Sequence, residues 1–597
     1  MNPSATIRLT DLARSVVRML PTTPQTLRGV KTLLHSRISI RNSLPAVLEQ
    51  CAAQHPDNIA VIFEQQRWSY RAFNAWANRI AHVLAARGVK KGTVVALLME
   101  NHANGLALVA GIVKLGGIAA MLNPNQQGDV LAHSLNTVKA SQLIVAGECL
   151  TQAQALSADL PRYWLQGYGD SVCPEGYQNM ADLIDHAPSH NPSTTASVTL
   201  KDPAYYILTS GTTGLPKASV MTHSRWIKGM AGLGQMSLRL TPEDVLYCPL
   251  PLYHNNALTV SWGAAMGNAS GLVIERKFSA SRFWTRCRDT GATAFCYIGE
   301  LCRYLLAQPE GPQDRDHGVR ACIGNGLRPD LWHAFKNRFG IERVCEFYGA
   351  SEGNLAFVNS FNLDQTAGFC PYSYAIVECD IEAAAPRFDG KGRLIKVKKG
   401  GVGLLVTQVT EAMPFDGYTD GKASQSKLIQ EQNGDCWFNT GDLVRDQGFK
   451  HIQFVDRLGD TFRWKGENVA TTEVEAAFND VAGLEEAVVY GALVPHSDGR
   501  AGMAALRFAA DFAGEFDGAA LAQHLKARLP AYAVPLFLRV VKEIATTATF
   551  KNQKAALREQ GANPAKVNEP LYYLAGAAYA PLTATVWAEV EAGRLRL

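Results

Sequence analysis

The sequence predicts an α/β fold: a large N-terminal domain of helix-covered sheets with a β-rich subdomain, followed by a small α+β C-terminal domain. Three observations carry this expectation. The chain has 597 residues, 47% of them hydrophobic and 19% charged, more than one hydrophobic core usually serves. Helical and strand-like periodicities alternate from Pro45 to about Val145 and again from Val245 to Val358, the pattern of parallel sheet covered by helices. A strand-rich stretch from Ala375 to Phe454 then ends at the polar, glycine-containing turn "DRLGD", Asp456 to Asp460, beyond which a new helix–strand pattern begins. The expected division is 1–43, 44–456 and 457–597.

The first 43 residues carry seven Arg and Lys against one acid, Asp11. Leu9, Leu12, Ala13, Val16, Val17 and Leu20 fall on one helical face with Arg14 and Arg18 beside it. Two readings stand: a helix lying on an anionic membrane, or a helix docked on its own domain with a solvated basic side. Asp11 and the arginines interrupt the apolar stretch too often for a cleavable signal peptide. No apolar run is long enough to cross a bilayer; Gly105 to Val113 ends at Lys114. Next, "YRAFNAWANRIAHVLAARG" puts Phe73, Trp76, Ile80, Val83 and Leu84 at helical spacing, and "TVVALLM", Thr93 to Met99, reads as a buried strand. The Pro-, Ser- and Thr-rich stretch from His186 to Pro203 reads as a surface connection. A net charge of +4 argues against a general nucleic-acid binder. The twelve cysteines show no metal-ligand spacing and read as packing residues of a reducing compartment.

After that connection comes "YYILTSGTTGLPKASVMTH", Tyr205 to His223. A Walker A loop needs glycine before its lysine and a hydroxyl after it, whereas Pro216 precedes Lys217 and Ala218 follows. The loop is still suited to phosphate. Thr209, Ser210, Thr212 and Thr213 offer hydroxyls, Gly211 and Gly214 let backbone N–H groups approach oxyanions, and Lys217 adds a mobile point charge.

The order T-S-G-T-T-G-x-P-K resembles the signature of the adenylate-forming superfamily of acyl-CoA synthetases, luciferases and peptide-synthetase adenylation domains. "PLYHNNA", "GNGLRP", "EFYGASEGN", "WFNTGDL" and "DRLGDTFRWKGENVATTEVE" follow in the expected order. Within the superfamily, "KFSASRFW", "YIGELCRYLL" and "DRLGDTFRWKGENV" are similar to the fatty acid transport protein and very-long-chain acyl-CoA synthetase family, from about residue 44 to the end. The resemblance implies a reaction in two halves. A fatty carboxylate attacks the α-phosphate of ATP to give acyl-adenylate and pyrophosphate, and the thiol of coenzyme A then displaces AMP.

The resemblance also assigns residues. The Thr209 to Lys217 loop holds the β- and γ-phosphates, and Glu352 is the carboxylate for Mg2+. Gly324, Asn325 and Gly326 with Tyr348, Gly349 and Ser351 form the adenine pocket. Asp442 and Arg457 approach the ribose, and His254 lies near the acyl and α-phosphate groups, with Asn255 and Asn256 departing from the usual pattern. Lys551 in "TTATFKNQK" is the adenylation lysine, its usual preceding glycine replaced by Phe550, with Lys554 as the rival. The small domain is expected to rotate about Gly459, bringing Lys465 and Gly466 to the site for CoA. Trp262, Phe295 and Tyr297 read either as core or as the wall of an acyl tunnel. The reading is thus a cytoplasmic long- or very-long-chain fatty acid:CoA ligase, peripheral on anionic membrane, of bacterial form, with a homodimer compatible with the resemblance. A fatty acyl-AMP ligase that loads a carrier protein and a non-catalytic lipid-binding or transport accessory are the alternatives.

Overall fold

The computed structural model of the chain describes residues 6–35, 43–156, 159–169, 171–209, 215–350, 353–411, 413–418, 421–497, 499–509, 512, 516–546 and 552–595. These fall into two compact units. One comprises Ile7–Pro371 with Val409–Leu428; the other comprises Tyr372–Gln408 and Ile429–Leu597.

The larger unit begins with α1 (Leu9–Met19) and α2 (Thr23–His35). Its first sheet has seven strands, in the order Gln178–Asn179, Arg162–Leu165, Gln142–Ala146, Val94–Leu98, Ile118–Leu122, β1 (Pro203–Thr209) and β2 (Lys217–Thr222). The strands from Ile118–Leu122 to Arg162–Leu165 and β1 are parallel, and β2 returns antiparallel to β1. The expected buried strand is Val94–Leu98, and the expected helix runs Tyr70–Ala85. Ser69 caps that helix by accepting from Ala72 N, and Phe73, Ile80, Val83 and Leu84 are buried. The apolar run ending at Lys114 is a core helix, Ala103–Lys114, every residue but Asn104 buried. Lys114 Nζ pairs with Glu49 at 2.6 Å, which offsets the cost of burying its charge. The Pro/Ser/Thr-rich connection is pinned rather than loose: Asn74 and Asn78 donate to Asn191 Oδ1 at 2.8 and 2.9 Å.

The second sheet of this unit is parallel across Ile59–Phe63, Gly271–Ile274, Val245–Cys248, β3 (Ala294–Ile298), β4 (Ala321–Asn325) and β5 (Arg343–Gly349). Antiparallel strands Gln66–Ser69 and Ala356–Val358 flank it. The register pairs Ile298 with Asn325 and Gly324 with Glu346, so the carboxyl ends of β3, β4 and β5 lie side by side. Parallel sheets bind ligands at that end. Two segments behind it, Met230–Leu238 and Asn256–Ser261, are π-helical, a geometry frequent at functional sites.

In the other unit, Tyr374–Val377, Val402–Gln408, β6 (Cys436–Gly448) and β7 (His451–Arg457) form antiparallel pairs. After β7 come a hairpin of Phe462–Trp464 and Glu467–Val469, then α3 (Thr471–Ala477). A five-stranded sheet follows, ordered Leu484–Leu493, Arg500–Phe508, Phe537–Val540, Leu571–Ala575, Ala578–Pro581. The short α4 (Lys554–Gln560) precedes its last two strands. Val489, Met503, Leu506, Leu525, Phe537 and Trp587 belong to one buried cluster there. The division expected between residues 456 and 457 falls inside this unit, at a turn in which Asp460 N and Thr461 N donate to Arg457 O, each at 3.0 Å.

Candidate active site

The two strands that flank the loop expected to hold phosphate, β1 and β2, pair antiparallel. Thr209 on β1 stands opposite Lys217 on β2, so the strand pairing fixes both stems of the loop. Residues 210–214, the greater part of the expected phosphate contacts, lie outside the described residues, as does the Thr209 side chain. The stem is braced from two sides. His133 Nε2 lies 3.1 Å from the Pro216 carbonyl, and the Tyr418 ring sits under the Lys217 ammonium, 5.8 Å from Nζ to the centroid. Ser219 also bridges antiparallel to Tyr418.

The "GNG" turn is built by a buried acid that the sequence reading did not single out. Glu346, on β5 and 6% exposed, accepts from Gly326 N at 2.5 Å, from Leu327 N at 3.3 Å and from the Tyr297 hydroxyl. Burial pushes its carboxyl up to about 8, although all three hydrogen bonds favour the ionised form. Gly324 is required because a Cβ there would collide with the Tyr297 carbonyl, and Gly326 because its φ is +87°. At Gly349 a Cβ would make ordinary contacts, the nearest at 3.6 Å. Tyr348 is half-buried on β5, edge-on to Phe357 at 6.1 Å.

Asn256, one of the two asparagines that depart from the usual pattern, donates from Nδ2 to Asn325 Oδ1 at 2.8 Å. Asn255 Oδ1 accepts from Thr259 Oγ1 at 2.5 Å and Tyr205 OH at 3.4 Å. The departures thus make structural hydrogen bonds to Asn325, Thr259 and Tyr205. Half-buried His254 packs its ring on Tyr253 at 4.6 Å. Arg225, just after β2, donates to the Gly353 and Ala350 carbonyls at 2.8 and 3.4 Å. It thereby holds the two flanks of Ser351 and Glu352, which themselves lie outside the described residues. Trp262, Phe295 and Tyr297 are all core residues, at most 1% exposed, and the Tyr297 hydroxyl is committed to Glu346.

In the other unit, Asp442 on β6 and Arg457 on β7 are cross-strand partners, Nε to Oδ1 3.9 Å. Asn439 and Thr440 shape the "TGD" by accepting from Gly441 N and Asp442 N at 2.9 and 3.1 Å. Lys465 and Gly466, φ 51° and 85°, form the exposed two-residue tip of the hairpin, a turn whose backbone twist matches the paired strands. Gly459 has no positive φ, and a Cβ there would meet nothing within 4 Å. Lys551 lies outside the described residues, whereas Lys554 is half-buried and bound: its Nζ donates to Thr471 Oγ1 and Glu475 Oε1, both at 2.9 Å. Among the described residues no group of three or more His, Cys, Asp or Glu converges on a metal site. Magnesium carried on nucleotide phosphates needs only one or two carboxylates, and the expected one, Glu352, offers the hard oxygen such an ion takes.

The AMP-binding enzyme family matches residues 48–385, and the AMP-binding enzyme C-terminal domain matches residues 473–551. The chain belongs to this family. This AMP-binding enzyme is 48% identical to the medium/long-chain-fatty-acid–CoA ligase FadD6 of Mycobacterium tuberculosis, over 99% of this chain and 98% of that protein. It is 37% identical to the long-chain fatty acid transport protein 6 of Mus musculus, over 94% and 92%. Its fold is similar to that of the anthranilate CoA ligase AuaEII in complex with anthranoyl-AMP, with a TM-score of 0.75 at 21% identity, covering 88% of this chain and 98% of that one. In this enzyme the residues missed from sequence are Glu346 and Arg225, and the hydrogen bond that joins Asn256 to Asn325 was not anticipated. A signal existed for the first: an acid inside the apolar strand "VCEFYG" has to find donors when the strand is buried.

Proposed function

We propose that the chain is an ATP-dependent long-chain fatty acid:CoA ligase that works through an acyl-adenylate. The observation that carries this is the 48% identity, across nearly the whole of both chains, with a relative named as a medium/long-chain fatty acid:CoA ligase. In the first half-reaction the acid's carboxylate attacks the α-phosphate of ATP and pyrophosphate leaves. In the second the thiol of CoA attacks the acyl carbonyl and AMP leaves.

The residues take roles accordingly. The loop from Thr209 to Lys217 receives the β- and γ-phosphates, and the turn held by Glu346 with Tyr348 receives adenine. Asp442 accepts from the ribose hydroxyls, with Arg457 beside it. His254 lies by the acyl carboxylate, and Lys551 neutralises the charge shared by carboxylate and α-phosphate in the transition state. The engagement of Lys554 with Thr471 and Glu475 supports Lys551 over its rival. Magnesium, when bound through Glu352, supplies neutralisation of the leaving pyrophosphate. The hairpin tip Lys465–Gly466 meets the pantetheine arm after rotation about Gly459, the hinge of a small C-terminal domain that begins at residue 457. An ordinary φ with open space at Gly459 is compatible with this, because the glycine would be needed in the other conformation.

The proposal includes a cytoplasmic enzyme bound peripherally to anionic membrane, supported by the N-terminal helices. Ser15 donates to the Phe361 carbonyl, Thr32 to Gln235 at 2.8 Å, and Arg239 to Thr22 at 3.0 Å, so α1 and α2 are docked on their own unit. Yet Leu9, Val16, Val17, Leu20, Leu27, Val30 and Leu34 stay exposed, with exposed Arg14, Arg18, Arg28 and Lys31 among them. The docked reading describes one face of the two helices, and the exposed aliphatic and basic side chains of the other face support the membrane-bound reading. A homodimer is the remaining part of the proposal. The test is an assay of purified protein with ATP, magnesium and a ladder of fatty acids, with and without CoA. The expected result is acid-dependent pyrophosphate release with acyl-CoA formed in equal amount. Acyl-AMP that accumulates and ignores CoA, or no release with any acid, overturns the ligase.

A further inference from the structure

The strand Val245–Cys248 runs out into "PLPLYH", Pro249 to His254, chain that cannot continue the sheet ladder. Its two prolines have no N–H to donate, so the backbone groups of Leu250 and Leu252 need partners outside the ladder. Leu250 and Leu252 are each 2% exposed, which removes solvent as the alternative.

Asn101 supplies those partners from the other sheet of the unit. It follows the carboxyl end of Val94–Leu98 and is buried. Its Nδ2 donates to the Leu250 carbonyl at 2.9 Å and to the Glu275 carbonyl at 3.0 Å, and its Oδ1 accepts from Leu252 N at 2.7 Å. Glu275 directly follows Gly271–Ile274, so one amide ties the carboxyl ends of three strands, one from the first sheet and two from the second. The Asn101 carbonyl accepts from the Tyr168 hydroxyl at 2.5 Å, which holds the base of the tie. A second tie comes from beyond the carboxyl end of Ile118–Leu122: Asn125 Nδ2 donates to the Tyr253 hydroxyl at 3.2 Å, and the Tyr253 ring packs on His254. Between Leu252 and His254 the chain has little freedom, because His254 N donates to Pro251 O at 3.1 Å and the His254 carbonyl accepts from Ala257 N at 3.2 Å.

We infer that Asn101 is a positioning residue that, with Asn125 acting through Tyr253, sets where His254 stands for the acyl carboxylate. This rests on the ligase reading and on the place given there to His254. Asn101 uses two donors and one acceptor at once, a combination that neither aspartate nor leucine of similar size can offer. The "GNG" turn expected to receive adenine is held by Glu346 and not by Asn101. Loosening Asn101 should therefore impair use of the acid and spare ATP.

The test is acid-dependent ATP–pyrophosphate exchange by the full chain, with a long-chain fatty acid and ATP varied in turn. Asn101→Asp keeps the acceptor for Leu252 N and removes both donors. The expected result is a fall of about tenfold or more in kcat/KM for the acid, with KM for ATP within about twofold of wild type. Asn125→Ala should show a smaller loss of the same selectivity; Asn125 is exposed, so this variant keeps the fold and decides alone where Asn101→Asp yields no folded protein. On a His254→Ala background, Asn101→Asp should cost less than about threefold, because its effect passes through His254. Equal impairment of acid and ATP, or losses that simply multiply in the double variant, marks a merely structural role and overturns the inference. Wild-type kinetics in the folded variants, or in His254→Ala, overturns it as well. A wild-type enzyme that gives no exchange with any acid overturns the ligase reading and takes this inference with it.

Discussion

At the scale of single residues, one buried acid holds the "GNG" turn in place. Glu346 gathers two backbone amides of the "GNG" turn and the Tyr297 hydroxyl from β3, and burial holds its carboxyl near 8 instead of the usual 4.5. The sign of the linkage follows from the raised value. Between about pH 4.5 and 8 the folded protein retains a proton that the unfolded chain has released, so stability contributed by the neutral form is lost as the pH rises through that window. Glu346→Gln should remove this dependence. The wild type's unfolding constant should grow relative to the variant's by up to about tenfold per pH unit across the window, read from urea unfolding at several pH values. Parallel profiles would contradict a buried, protonated Glu346. Gly324, Asn325 and Gly326 stand out in sequence because they form one short contiguous motif, and Tyr348 because it lies in a second one, "EFYGASEGN". The roles of Glu346 and Arg225, and the bond from Asn256 to Asn325, were not legible there, because each joins segments distant in the chain, a pairing that only the tertiary fold determines.

At the scale of elements, periodicity located the strand Val94–Leu98 to within one residue at each end and the helix Tyr70–Ala85 to within three at its C-terminal end, because both bury a regular face. It did not reveal the π-helical turns at Met230–Leu238 and Asn256–Ser261, since an apolar helix buried all round carries no periodic mark. The N-terminal segment shows the converse limit. Its amphipathic face was plain, but which face docks was not: Ser15 turns inward while Val16 and Val17 stay 47% and 64% exposed. Replacing Val16, Val17, Leu20 and Leu27 together with serine should leave the fold intact, because all four are exposed. Each aliphatic side chain is worth about 1 to 2 kcal/mol when buried in lipid, so binding to vesicles containing phosphatidylglycerol should fall by at least about tenfold in a sedimentation assay. Unchanged binding would leave α1 and α2 as docked helices only.

At the scale of the whole molecule, the order of motifs along the chain was enough to anticipate an α/β fold and an adenylate-forming enzyme, and the family match over residues 48–385 and 473–551 agrees. The division into units was less legible. The β-rich strands from Tyr374 to Arg457 group with the C-terminal part, a property of contacts that no local pattern encodes. The central claim concerns a bond: the acid's own oxygen must attack the α-phosphate. The most direct measurement is therefore to supply a long-chain fatty acid labelled with 18O in its carboxylate, together with ATP and CoA, and to weigh the products by mass spectrometry. One labelled oxygen in AMP, with pyrophosphate unlabelled, is the predicted result, because the bridging oxygen of the acyl-adenylate departs with AMP. Label in orthophosphate, or acyl-CoA formed with no label in AMP, would contradict it.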